Sequence, residues 1–285
     1  MPRDLRVKAS LAVLIAMAGA ALCVPLMAST PSTAIGDVLA TRLVPPFSTD
    51  RLGHWHLLGT DAFGRDVFVR LWSAARVSLG VGLAGSLLGG TLGVALGAIA
   101  GWYGGWFDRL IGAVSDAMLA IPRLVLLLVI ASLWGPGVES VVTVLALTGW
   151  MSIMRLVRAE VQGVAVLPYV EGARALGVAS PRLLRAHVLP NALTSARVAM
   201  TLGVGNAMLL ESGLSFLGLG VQPPAASWGN MIAGGREWLL VAPWIALSPG
   251  VLLVMTVVAC TVLGDGLRLS RGASRTASRS PSPAA

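Results

Sequence analysis

Apolar residues run along this chain in long stretches, and charged residues are confined to the gaps between them. Six stretches stand out: 9–29, 77–101, 111–134, 138–157, 194–212 and 243–264. Each is long enough to cross a bilayer as a helix, which takes about 20 residues. The connecting segments are 30–76, 158–193 and 213–242, followed by a tail at 268–285. The pattern predicts an all-α integral membrane protein with six transmembrane helices. Its expected organisation is a first helix and outer loop (1–76), a core transmembrane domain (77–267) and a tail (268–285). The tail is rich in Arg, Ser and Pro, a composition that favours disorder, and its arginines suit anionic headgroups.

Composition agrees. Only 12% of the 285 residues are charged, and mean hydropathy is +0.79. A soluble domain carries roughly 25% charge, so an ordinary soluble domain is excluded. With both termini inside, 14 of the 21 Lys and Arg fall on that side, which nets +9. The outer side, with six basic and six acidic residues, nets zero. The positive-inside rule therefore puts both termini in the cytoplasm. It also accounts for the overall +8 without nucleic acid as a partner. The first stretch begins like a signal peptide, with basic residues before an apolar run. It is longer than a signal core, and Leu22 before Cys23 is not the small residue a lipoprotein cleavage needs, so a retained span is expected. Two cysteines, Cys23 and Cys260, exclude a disulfide scaffold and a Cys-rich metal site. Both lie in apolar runs and are expected to pack.

Within the second stretch, Gly85, Gly89, Gly93, Gly97 and Gly101 recur every fourth residue. This spacing lines one helix face with small residues, which lets another helix approach closely. Tight packing inside one bundle is the expected use, with self-dimerisation as the alternative. The third stretch holds Asp116 and Arg123, seven residues apart. On one continuous helix they share a face about 10.5 Å apart along the axis, too far to pair. Each costs about 2.5–3.5 kcal/mol at depth, so each is expected at a subunit interface or on a translocation path; for Asp116 the inner headgroups are the competing location. Pro122 between them removes a backbone donor and is expected to kink the helix. Glu211 ends the fifth stretch and is expected at the outer interface, capping or pairing with the following loop. Trp228, Trp238 and Trp244 suit an interfacial aromatic belt or an external contact.

The inner segment carries the most specific signal. Pro168 suits the first turn of a short helix over 168–176, and Gly177 can end it in a left-handed conformation. Ser180 and Pro181 read as an N-cap and first position of a second helix, which Pro190 is expected to end before the fifth span. The alternative is an amphipathic loop on the headgroups.

Glu171, Ala173, Gly177, Leu189 and Pro190 match the EAA loop of bacterial ABC-importer permeases: Glu-Ala-Ala, three residues, Gly, nine residues, an apolar residue, one more, then Leu-Pro. Gly172 departs from the pattern at the middle alanine, at a cost of up to about 1 kcal/mol of helix stability. His187, followed by Val188-Leu189-Pro190-Asn191, is typical of the peptide and nickel branch. The stretches from His56 to Asp66 and from Leu214 to Met231, with Ala242-Pro243-Trp244 and Gly264-Asp265-Gly266-Leu267-Arg268, resemble the C-type subunit of dipeptide and oligopeptide permeases. The resemblance covers roughly 54–268.

What the resemblance implies is a type I ABC importer permease fold with a cytoplasmic coupling helix, in a bacterial inner membrane. The chain would pair with a homologous B-type permease, two ATP-binding subunits and an extracytoplasmic solute-binding protein. Its EAA loop, including Gly172, Arg174, Ala175 and Leu176, would seat in a groove of an ATPase, with Glu171 facing a basic group. ATP and Mg would be held by those partners. In keeping with this, the chain has no Gly-x-x-x-x-Gly-Lys-Ser/Thr phosphate loop. Di- and oligopeptides are the expected cargo, with nickel chelates or another small solute as alternatives. His54 and His56 could chelate only from an extended segment with no third ligand in view, so a solvated loop is expected there. An intramembrane enzyme is disfavoured because all three histidines lie in loops. A self-contained secondary transporter is disfavoured by the absence of an evident internal repeat and by the EAA loop.

Overall fold

The computed structural model of the chain describes residues 3–28 and 37–277. Helix α1 spans Arg3–Met27 and is followed by a short α2 at Val38–Thr41. An antiparallel hairpin, β1 (Ser48–Thr49) and β2 (Trp55–His56), leads into α3, Val67–Tyr103. Then come α4 (Gly105–Ala120), α5 (Arg123–Trp134) and α6 (Val138–Ala165). The inner segment forms α7 (Pro168–Ala175) and α8 (Ser180–Leu183), and a π-turn at Leu184–Val188 joins α8 to α9, Leu189–Phe216. Helix α10 is Trp228–Gly235, and α11 is Trp244–Ala277. Among the described residues five helices are long and apolar enough to cross a membrane, and the count is six when the bent pair α4–α5 is taken as one span.

Four expectations about boundaries need correction. Helix α3 begins at Val67, so the outer loop does not reach residue 76. Asp66 starts the helix, its carboxylate accepting from the Val69 amide at 3.1 Å, as an N-cap does. The third span is not one helix. Ile121 and Pro122 are extended, and α4 and α5 meet at 97°. Proline pushes its preceding residue out of the helical region, and here this breaks the span completely. Pro190 does not end a helix. The π-turn before it widens the backbone where proline lacks a donor, and α8 runs through it into α9. At the other end, α11 is helical on both sides of residue 268 and continues to Ala277; positions 278–285 of the expected tail lie outside the described residues.

The bundle is built on the glycine face of α3, which packs along α6. A Cβ on Gly93, Gly97 or Gly101 would stand 2.6, 2.5 or 2.8 Å from the backbone oxygens of Trp150, Met154 and Arg158. Gly89 similarly faces Ala146 and Gly149, and Gly85 faces Leu145. Only hydrogen at these positions lets the two helices touch backbone to backbone. Helix α1 is fastened differently. Pro25 has no N–H to offer the Ala21 carbonyl, and Arg76 Nε on α3 donates to that oxygen at 2.5 Å. Cys260 is buried, whereas Cys23 on α1 is exposed and does not pack as expected.

The outer corner is tied by buried polar groups. His56 is not solvated: its ring lies between Asp66 (2.7 Å) and Asp50 (3.3 Å), with the residue only 8% exposed. Burial works against the charge on Asp50. The amides of His54 and Leu52 and the imidazoles of His56 and His54 outweigh it and hold the carboxyl below its usual range. Trp228 is fully buried, donating to Leu71 O at 3.1 Å, and Trp244 donates to Thr60 O at 3.2 Å. These two indoles clamp outer segments onto the helices in place of a lipid-facing belt, because their N–H groups find internal carbonyls.

Candidate coupling surface and translocation cavity

Helix α7 projects from the inner end of the bundle. Pro168 is its first residue, Glu171 lies in its first turn, and Gly177 follows its end with φ +81°. A negative charge in the first turn suits the helix dipole. Val170 is fully buried and continues a cluster formed by Val157 and Val161 of α6 and Val188 and Ala192 around the π-turn. One face of α7 is therefore anchored to α6 and α9. The other face is open. Glu171, Gly172, Arg174, Ala175, Leu176 and Gly177 are exposed, Leu176 by 87%, while Ala173 is half-buried. The Glu171 carboxylate makes no hydrogen bond or ion pair among the described residues. Leu189 and Pro190 lie apart from this face, at the start of α9 beyond the π-turn.

Three side chains that sequence reasoning missed fasten this unit to the spans. Trp102, at the inner end of α3, donates to Ser180 Oγ at 2.7 Å and carries the Arg174 guanidinium over its ring at 5.3 Å. Ser180 thus receives an indole and makes no cap of its own. Asn191 donates to the Tyr169 hydroxyl at 3.3 Å and to His187 O at 2.9 Å, linking α7 to α9. Trp102 did leave a signal: an amphipathic ring at the inner end of an apolar stretch, just before Gly104-Gly105.

A second feature lies at mid-height. A cavity of about 400 Å³ is bounded by Ser86 of α3, Gly149 and Ser152 of α6, and Gly203 and Asn206 of α9. Ser86, Gly149 and Gly203 each sit near the middle of their helices. Among the described residues the only charged group lining it is Arg123, the first residue of α5. Its Nε is buried without a partner among the described residues, and Gly149 lies against its guanidinium. A Cβ at residue 149 would be 3.7 Å from Nη2. The break at Pro122 separates Arg123 from Asp116, which instead pairs with Arg155 of α6 in an exposed position. The shared helix face expected for Asp116 and Arg123 is therefore absent.

Glu211 ties the end of the fifth span to the loop that follows it. It is fully buried on α9, where Ser215 Oγ donates to it at 2.7 Å and Ser78 Oγ of α3 at 3.3 Å. The same hydroxyls accept from the Val221 and Trp228 amides at 3.1 and 3.0 Å. Because α9 extends to Phe216, Glu211 falls inside the bundle, where it holds the chain between α9 and α10.

Among known proteins, the model of the family "Binding-protein-dependent transport system inner membrane component" matches residues 93–268. The oligopeptide transport system permease protein OppC of Bacillus subtilis is 34% identical over 81% of this chain and 75% of its own length. The dipeptide transport system permease protein DppC of the same organism is 36% identical over 84% and 73%. A chain of the MetNI methionine ABC transporter in an inward-facing conformation superposes with a TM-score of 0.54 at 20% identity, covering 72% of this chain and 95% of that one. That likeness is one of fold. The matched family and these relatives are transport subunits, not enzymes. The chain belongs to the binding-protein-dependent transport system inner membrane components, as a multi-pass permease subunit of an ABC importer.

Proposed function

We propose that this permease forms half of the translocation pathway of a bacterial inner-membrane importer for di- and oligopeptides. A homologous B-type permease supplies the other half, and an extracytoplasmic solute-binding protein delivers cargo. Two ATP-binding subunits bind inside. The permeases of oligopeptide and dipeptide systems to which the chain is similar support the cargo class. The observation that carries the coupling role is the two-faced character of α7: Val170 is buried while Glu171 and Leu176 are open. An element held on one side to α3, α6 and α9 and free on the other can pass a displacement of its partner into the spans. Glu171 then engages a basic group on the ATPase. The Arg123 cavity belongs to the pathway, where a discontinuous span near the midplane suits binding of solute.

The test is Glu171→Ala in the complete reconstituted complex. Loss of a charge-assisted contact, about 1.5–3 kcal/mol, lowers binding-protein-stimulated ATP hydrolysis and uptake about tenfold or more, with membrane insertion intact. Unchanged uptake would refute the coupling role.

A further inference from the structure

The outer end of the bundle holds a second cavity of about 400 Å³, between the loop around Asp61, the start of α3, and α10 with its following turn. Three arginines face it: Arg42, Arg65 and Arg70. Arg70 is the unusual one. Its side chain is only 7% exposed, yet its Nη1 has no hydrogen-bond partner among the described residues. The nearest carboxylate, Asp61, is already engaged. Asp61 Oδ1 accepts the Phe63 and Arg65 amides at 2.8 and 3.0 Å, and Oδ2 accepts Arg65 Nε at 2.7 Å. Arg70 Nε stands 4.0 Å from that same oxygen. A buried guanidinium with an orphaned donor is costly, and the Arg70 side chain forms part of the cavity wall.

The other two arginines are held in place by rings. The Arg42 guanidinium lies 5.6 Å from the Trp238 ring centre and that of Arg65 4.5 Å from the Phe63 ring centre. The remaining acid of the cavity, Glu237, is exposed. With Asp61 engaged, the pocket has excess positive charge, a buried and incompletely paired arginine in its wall and a size within the range of small-ligand sites. A planar guanidinium fork matches a carboxylate. We propose that this pocket receives a carboxylate arriving from the outer side, carried either by the peptide cargo as it leaves the binding protein or by an acidic side chain of the docked binding protein. This rests on the reading of the chain as a peptide importer's permease.

The experiment uses the complete complex in proteoliposomes, with a tripeptide and its C-terminal amide as probes, each at a concentration that saturates the binding protein. Uptake of the tripeptide by the unaltered complex comes first; if it fails, the peptide reading itself fails, before any variant is compared. Arg70→Gln is then expected to raise the binding-protein concentration for half-maximal uptake, or to lower maximal uptake, by about tenfold, the effect of one charge-assisted contact. Arg42→Gln, at an exposed position, is expected to act in the same direction and guards against a folding defect at Arg70. If the cargo carries the carboxylate, the amide is transported poorly by the unaltered complex and Arg70→Gln costs it nothing more. If the binding protein carries it, both peptides lose equally, and the difference between the unaltered and variant complexes shrinks with added salt as the contact is screened. Normal uptake of the tripeptide by both variants, with unchanged half-saturation, would overturn the proposal.

Discussion

Trp102 at the inner end of α3 donates a 2.7 Å hydrogen bond to Ser180 at the start of α8. The same ring lies under Arg174 of α7, so a single indole joins both short inner helices to the span with the glycine face. Motion of the inner segment therefore reaches α3 without passing through a flexible linker. Trp102→Phe keeps an aromatic face for Arg174 and removes the hydrogen bond, worth about 1 kcal/mol. The expected result is a loss of about fivefold in binding-protein-stimulated ATP hydrolysis at unchanged basal hydrolysis. An equal fall in both rates would assign Trp102 to assembly instead.

The α3–α6 contact predicts a graded response to added methyl groups. Gly97→Ala places a carbon against the Met154 carbonyl, which cannot yield without moving the helix. The variant is expected to lose about 1–3 kcal/mol, read as a lower melting temperature in detergent. Gly172→Ala is the contrasting case. No atom lies within 4 Å of a Cβ there, and alanine raises helix propensity by up to about 1 kcal/mol. Equal melting of both variants with the unaltered protein would contradict the packing described.

Acid is expected to loosen the outer corner. Asp50 has its carboxyl held below the usual 3.8. A lowered folded-state pKa stabilises the fold at pH above the unfolded value and ceases to do so as pH falls through the folded one. The groups facing Asp50 are His54 and His56, with Asp66 on the far side of the His56 ring. Proteolytic protection of residues 37–66 is expected to include the full contribution of Asp50 at neutral pH and to fall once the pH drops below about 4. Asp50→Asn should remove that acid step. An acid step of the same size in the variant would count against the assignment.

Much of this arrangement was legible beforehand, and the limits have physical causes. The apolar stretches and the short helix at Pro168 depend on local chemistry, so the pattern alone located them. The break at Pro122 was visible as a proline but not as a 97° turn, because the residues on both sides remain equally apolar. The continuity of α8 into α9 depends on a π-turn, for which no residue pattern spoke. The burial of His56 and the Ser78 partner of Glu211 were not legible because what surrounds both residues comes from elsewhere in the fold. Ser78 is 133 residues from Glu211, and the carboxylates on His56 meet only once the hairpin has formed. The arginines around the outer cavity are scattered between residues 42 and 70, a grouping no spacing rule brings together.

Arg123 offers a separate test of the pathway. Arg123→Gln removes the only charge lining the mid-height cavity among the described residues and relieves an uncompensated charge that costs about 2.5–3.5 kcal/mol at depth. The variant is expected to be as stable as the unaltered protein or more so, and to transport charged peptides at least about tenfold less well if its contact is charge-assisted. Unchanged uptake with raised stability would remove Arg123 from the pathway.

The central claim is that α7 is the surface through which this permease meets an ATPase. Leu176, at the cap that ends α7, is 87% exposed. Leu176→Cys, in a chain with Cys23 and Cys260 replaced by serine, provides a single position for a short thiol crosslinker in the assembled complex. The account predicts a crosslink to an ATP-binding subunit whose yield changes when ATP is bound. A crosslink only to lipid or to the other permease, in a complex that hydrolyses ATP and imports normally, would contradict it.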